Sequence, residues 1–229
     1  MSGVFMDILQ LQLLLDATKI TLGLALCSLL AGLILAILFC VAEMQKQPLI
    51  AKPVSLVVTV LRGLPEILVV FFIFFGGTHL LFILTDEFYD ISPFWSGVLA
   101  LSLIFAAYAS QTLRAAIQSV PKGQLQAARA LGMGPVHSFM RVTLPQAWRL
   151  ALPGLGNQWM VLLKDTALVS LIGVTDLMKQ ADLLSGSSYK PFTFLIAAAA
   201  IYLIITLISQ WLLTHLNSYI NRFDAGVAK

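Results

Sequence analysis

The sequence predicts an all-α transmembrane protein with about five membrane-spanning helices, and three observations carry that prediction. Of 229 residues, 59% are hydrophobic and only 11% are charged, against roughly 25% charged in soluble domains; the mean hydropathy is +0.91. The apolar residues gather in runs near the ~20 residues that a helix needs to cross a bilayer. A long polar stretch, residues 119–148, separates two of those runs and carries helix start and stop signals of its own. One membrane domain, 17–221, covers most of the chain, with an interfacial segment 1–16 before it and a short tail 222–229 after it.

The N-terminal segment mixes Phe5, Met6, Ile8 and Leu11 with Asp7 and Asp16, and has no Lys or Arg before Lys19. A secretory signal needs a basic start, so this segment is expected to lead along the interface into the first span. Leu24-Ala25-Leu26-Cys27 has the outline of a lipoprotein cleavage box, but bulky Leu26 stands where a small residue is needed. The first span covers about 17–41 and contains Cys27 and Cys40. At about 1.5 Å per residue these lie roughly 20 Å apart, too far for a disulfide, so they read as packing residues. The second span, about 54–77, holds Arg62-Gly63-Leu64-Pro65-Glu66 in apolar surroundings. The third, 93–118, carries Tyr108, Gln111 and Arg114; the fourth, 152–174, carries Lys164-Asp165; the fifth runs over 191–213.

Lys and Arg mark the cytoplasmic side of a membrane protein. Grouping the loop after the first span with the polar stretch and the tail gathers Lys46, Lys52, Lys122, Arg129, Arg141, Arg149, Arg222 and Lys229. The opposite loops hold Lys179 and Lys190 with the acids Asp86, Glu87, Asp90, Asp176 and Asp182. The N-terminus is therefore expected outside, and the C-terminus and the polar stretch inside.

Within that stretch, Ser119 is placed to cap a helix starting near Pro121, since proline suits a first turn whose N–H has no intrahelical partner. Gly132 and Gly134 are placed to end it, and Pro135 to open a second short helix that stops before Pro145. The result is two helices joined by a Gly-x-Gly-Pro elbow, with Leu125, Ala128 and Leu131 giving one apolar face and Val136, Phe139 and Met140 another. Such a surface suits helix-in-groove docking. Gln126-Ala127-Ala128, then Gly132, then Leu144-Pro145, resembles the signature loop of membrane subunits of bacterial ABC importers, usually Glu-Ala-Ala, three residues, Gly, a spacer and Leu-Pro. The resemblance implies that the loop is a coupling helix seated in a cytoplasmic ATPase, with Gln126, Ala127, Ala128, Gly132 and Pro145 as its coupling residues. Gln126 replaces the usual Glu, so hydrogen bonding is kept and a salt bridge from that position is lost.

A central Arg, Lys or Asp costs roughly 2.5 to 3.5 kcal/mol on translocon scales, so the charges in the spans need partners or a use. Arg62 and Glu66, four apart, admit two readings. They are a self-neutralising pair on one turn, or Glu66 lines an opened turn that receives a cation. Arg before Glu is the poorer order for such a pair. Pro65 gives no N–H to the Leu61 carbonyl, and a break there is tolerated at depth only under protein or water.

Arg-Gly-x-Pro at 62–65, Tyr108 with Arg114, Val120-Pro121-Lys122-Gly123-Gln124, Ala151 to Asn157 and Leu163 to Ser170 together are similar to the permeases of polar amino-acid uptake, the arginine, histidine, lysine-arginine-ornithine and opine permeases among them. The likeness spans nearly the whole chain after the first dozen residues and implies the type I ABC-importer permease fold. Members for cationic amino acids carry an acid after Arg-Gly-x-Pro, here Glu66, which is the implied counter-ion for the substrate side chain. Lys164, Asp165 and Thr166 are weaker candidates for substrate contacts on the pathway wall, with an ion pair or helix-packing cluster as the bland alternative; Gln111 shares a face of the third span with Tyr108, a face that either lines the cavity as a substrate contact or meets another helix. Gln111 stands where many relatives have Glu, so no carboxylate role carries over to it.

The expected function is import of a cationic amino acid, arginine first, through a multi-pass protein of the bacterial inner membrane. The chain has no Gly-x-x-x-x-Gly-Lys-Ser/Thr phosphate loop. It is therefore expected to be a transport subunit and not an enzyme, with ATP and Mg bound by a partner ATPase and no cofactor of its own. Expected partners are a pair of ABC ATPases, a second permease subunit, a periplasmic amino-acid-binding protein and the lipid bilayer; nucleic acid is not among them. His79, His137 and His215 lack metal-ligand spacing, and no catalytic residue is assigned. The alternative from another class is an ion-gradient-driven transporter or channel, for which broken helices in both halves are expected; only the second span shows a clear break.

Overall fold

A computed structural model describes residues 7–87 and 90–221. Residues 1–6 of the N-terminal segment and the tail 222–229, with Arg222 and Lys229, lie outside the described residues. Every element among the described residues is helical, joined by short turns.

α1 (Ile8–Glu43) runs unbroken for 36 residues, about 54 Å at helical rise. It crosses the expected boundary at residue 16, because 9–15 are all Leu and Gln, good helix formers, and Gln10 Oε1 accepts from the Asp7 N–H at 3.0 Å to start the first turn. The buried side of α1 carries Ser28, Gly32, Ala36 and Cys40 at intervals of four. Small residues so spaced let two helices approach closely in a membrane, and the partner is α5 (Pro93–Ser119). A Cβ on Gly32 would come within 2.8 Å of Phe105 Cδ1 and 3.1 Å of the Ser102 carbonyl oxygen.

The second span divides into α2 (Pro48–Gly63), α3 (Glu66–Phe71), a wide π-turn over Phe72–Gly76 and α4 (Gly77–Thr85). α5 is the centre of the bundle, with 67% of its most apolar stretch buried, against 33% for α1. Ser119 closes α5, its hydroxyl donating to the Ala115 carbonyl at 2.8 Å, so it does not cap the next helix. That helix, α6 (Lys122–Ala130), starts after Pro121.

The second elbow helix does not stop before Pro145. α7 (Pro135–Ser138) passes through a π-turn at Phe139–Thr143 into α8 (Leu144–Asp165), which tightens into a 3₁₀ turn at Thr166–Ile172. The wide π-turn lies directly before Pro145, where an α-helix would press the proline ring on the carbonyl four residues back. Pro145 is thereby accommodated in the first turn of α8. Gly173, at φ +99, ends this rod. α9 (Leu177–Ser188) and α10 (Pro191–Asn221) complete the chain and share a small core of Leu14, Leu177, Ala181, Leu184, Phe194 and Ala198.

Among the described residues, four helical stretches are long and apolar enough to cross a membrane: Ile8–Glu43, Glu66–Thr85, Pro93–Ser119 and Pro191–Ile220. The α8 rod is long enough to be a fifth, but Gln146, Arg149, Asn157 and Gln158 lower its hydropathy. It lies against α5 and α10, so neighbouring helices shield part of its polar surface.

Candidate functional site

The break in the second span is made by the residues that mark it in the sequence. Leu64 and Pro65 are extended, with ψ 145 and 134, because proline removes a donor and disfavours helical backbone at the residue before it. Helix resumes at Glu66, the first residue of α3, where a carboxylate is favoured by the unpaired N–H groups of the turn. Arg62 does not pair with Glu66. Its guanidinium lies 5.4 Å from the centroid of the Tyr108 ring, and the Tyr108 hydroxyl donates to the Arg62 carbonyl at 3.4 Å. Glu66 is left half-buried, with no hydrogen bond or ion pair on its carboxylate among the described residues.

Asp165, half-buried at the end of α8, stands close enough to Glu66 to feel its charge. Exposed Lys164 also acts on Asp165 electrostatically. Thr166 is turned inward: it is fully buried, its hydroxyl donates to the Leu163 carbonyl at 2.7 Å, and it stands beside Tyr202. Gln111 is drawn to α1, its Nε2 donating to Glu43 Oε2 at 2.6 Å. Of the five candidate substrate contacts, Glu66 and Asp165 are thus brought within electrostatic reach of each other, with Lys164 next to Asp165 in the chain. Two carboxylates within electrostatic reach of each other, Glu66 without an ion pair among the described residues, are suited to a cation.

Two buried acids escaped the sequence reading. The Glu43 side chain is 2% exposed and lies 3.8 Å from Arg114 Nη1, tying the end of α1 to α5. Asp176 is fully buried; it caps α9 by accepting from the Lys179 N–H at 2.9 Å, and its Oδ2 lies 3.5 Å from the Tyr202 hydroxyl. Burial pushes the Asp176 carboxyl above the usual carboxylate range, against backbone N–H groups that favour its ionised form. Both acids sit beside apolar runs, and only their contacts across helices distinguish them from loop acids.

At the other end of α5 the elbow takes the form of a Schellman motif. The Met133 N–H donates to the Ala128 carbonyl at 3.1 Å and the Gly132 N–H to the Arg129 carbonyl at 3.0 Å, with Gly132 at φ +81. Ala128 packs inward, while Gln126, Ala127, Gly132 and Pro145 are exposed. Leu131, Val136 and Met140 are 84%, 74% and 56% exposed, an apolar surface on the least apolar part of the chain.

Residues 17–222 match the family described as binding-protein-dependent transport system inner membrane components. The chain belongs to that family. This permease is 54% identical over 217 residues to the arginine ABC transporter permease protein ArtQ of Haemophilus influenzae, covering 95% of this chain and 97% of that protein. It is 51% identical over 226 residues to the protein of that name from Escherichia coli K12, covering 91% and 95%. Its fold superposes on a crystal structure of an amino acid ABC transporter with histidines at TM-score 0.83, with 32% identity over 94% of this chain and 99% of that one. The permease is thus an all-helical membrane subunit of ABC-importer type, a transport component and not a catalytic one.

Proposed function

We propose that this permease carries a cationic amino acid, arginine above all, from the periplasm to the cytoplasm, and that Glu66 with Asp165 receives its side chain. Glu66 carries the proposal: a carboxylate without a partner among the described residues at a helix break, while Arg62, four residues earlier, is held on Tyr108 instead. The arginine transport named for its relatives supports the choice of substrate. Lys164 is suited to the substrate carboxylate, Thr166 packs the wall behind Asp165, and Gln111 holds α5 to α1 through Glu43.

The elbow faces the cytoplasm, as the excess of Lys and Arg on its side argues, which places the N-terminus in the periplasm. There Gln126, Ala127, Gly132 and Pro145 face a partner ATPase, with Ala128 packed beneath them. A pair of such ATPases binds and hydrolyses ATP with Mg, a periplasmic binding protein delivers the substrate, and a second permease subunit completes the pathway in the inner membrane. The test is uptake by the reconstituted complex. Glu66→Gln should lower arginine uptake at least tenfold, about 1.4 kcal/mol, with co-purification of the ATPase intact. Unchanged uptake would remove Glu66 from the site.

A further inference from the structure

A buried polar cluster adjoins the site through Thr166. Thr21, Thr166 and Asp176 are all fully buried, and they come from three elements: α1, the 3₁₀ turn that follows Asp165, and the N-cap of α9. The half-buried Tyr202 of α10 closes the cluster. Its hydroxyl donates to Asp176 Oδ2 at 3.5 Å and stands beside the Thr21 and Thr166 hydroxyls. From there the bonds run outward into the backbone. The Thr21 hydroxyl accepts from the Leu177 N–H at 3.0 Å and donates to the Ala17 carbonyl at 3.2 Å. The Thr166 hydroxyl donates to the Leu163 carbonyl at 2.7 Å, and Asp176 Oδ1 accepts from the Lys179 N–H at 2.9 Å. With both threonine protons taken up in their own helices, Tyr202 supplies the side-chain donor for Asp176.

Stability alone is a poor reason for such a cluster, because apolar side chains of the same shape would fill the space without the cost of desolvating polar groups. What satisfied buried polar groups add is a fixed arrangement, since a helix that slips leaves the others without partners. Here the arrangement being fixed is that of the helix end carrying Asp165. Thr166 is the residue at which α8 tightens into the 3₁₀ turn, and Asp165, directly before it, lies within electrostatic reach of Glu66. Successive side chains on an α-helix point about 100° apart, so a junction displaced by one residue would turn the Asp165 carboxylate away from Glu66.

We propose that Tyr202, backed by Thr21 and Asp176, is a positioning residue for the substrate site, holding the end of α8 through Thr166 so that Asp165 is presented to Glu66. The inference rests on the proposed role of Asp165 in receiving the substrate. The test is binding of radiolabelled arginine to the purified permease–ATPase complex in nanodiscs, in a double-mutant cycle of Tyr202→Phe with Asp165→Asn. Tyr202→Phe should weaken binding roughly three- to tenfold, and should have almost no further effect once Asp165 is already Asn. Thr21→Val keeps the side-chain shape, loses the hydroxyl and should give the same pattern from the α1 side, so it decides the question if the Tyr202 variant does not assemble. Equal weakening with and without Asp165 would be a general loss of packing and would overturn the positioning role. Asp165→Asn that weakens binding while Tyr202→Phe does not would remove the positioning role alone; unchanged binding in Asp165→Asn would take the substrate role of Asp165 with it.

Discussion

Gly132 offers a clean test of whether the elbow docks in the form seen here. It adopts φ +81, yet a Cβ added there meets nothing within 4 Å, so the cost of a larger residue is purely that of the backbone. For alanine that cost is about 1–2 kcal/mol, or a factor of roughly 5–30 in an equilibrium. Asparagine visits this conformation more readily and should cost less. Gly134 is the built-in control. It also has open space around its Cβ, but its φ of −65 and ψ of 162 suit any residue. Titrating the partner ATPase against the permease in nanodiscs should give wild type and Gly134→Ala equal affinity, Gly132→Asn somewhat weaker, and Gly132→Ala about 5–30-fold weaker. Equal weakening by both alanines, or none by Gly132→Ala, would show that the Schellman turn is not the docked form.

Three further outcomes follow from other contacts. A Cβ on Gly97 would lie 2.4 Å from Val169 Cγ1, so Gly97→Ala should destabilise by about 1–3 kcal/mol, and adding Val169→Ala should recover most of it in a thermal melt; no recovery would refute the contact. Removing Glu43 leaves Gln111 and Arg114 without their carboxylate, so Glu43→Ala should cost about 1.5–3 kcal/mol, and Glu43→Gln should cost less. A pH series probes Asp176, whose carboxyl is raised by burial. The unfolded chain releases this proton first, at about pH 3.9, so the contribution of Asp176 to stability should fall as pH rises from there through its higher folded value. Asp176→Asn keeps a capping side chain and should flatten that slope in detergent melts run upward from about pH 4; an unchanged slope would assign it to another group.

Where the order of residues speaks clearly, local physics is enough. Pro65 cannot donate and restrains Leu64, so the break in the second span appears where the sequence puts it. Gly132 takes the left-handed turn expected of a helix end. Proline misled in one place. Pro145 reads as a stop, but the π-turn at Phe139–Thr143 precedes it and the helix continues. Ser119 likewise reads as a cap but serves the helix behind it.

Partner choice is of another kind. Arg62 and Glu66 are four apart, and spacing alone leaves open whether they meet; the position of α5 decides it by presenting the Tyr108 ring to the arginine. Glu43 and Asp176 look like loop acids until α5 and α10 cover them. Run length, turns and charge asymmetry depend on residues near one another in the chain and on their transfer into lipid, and these are properties of composition and order. Which acid stays without a partner depends on contacts between residues far apart in the chain, and these exist only once the helices have packed.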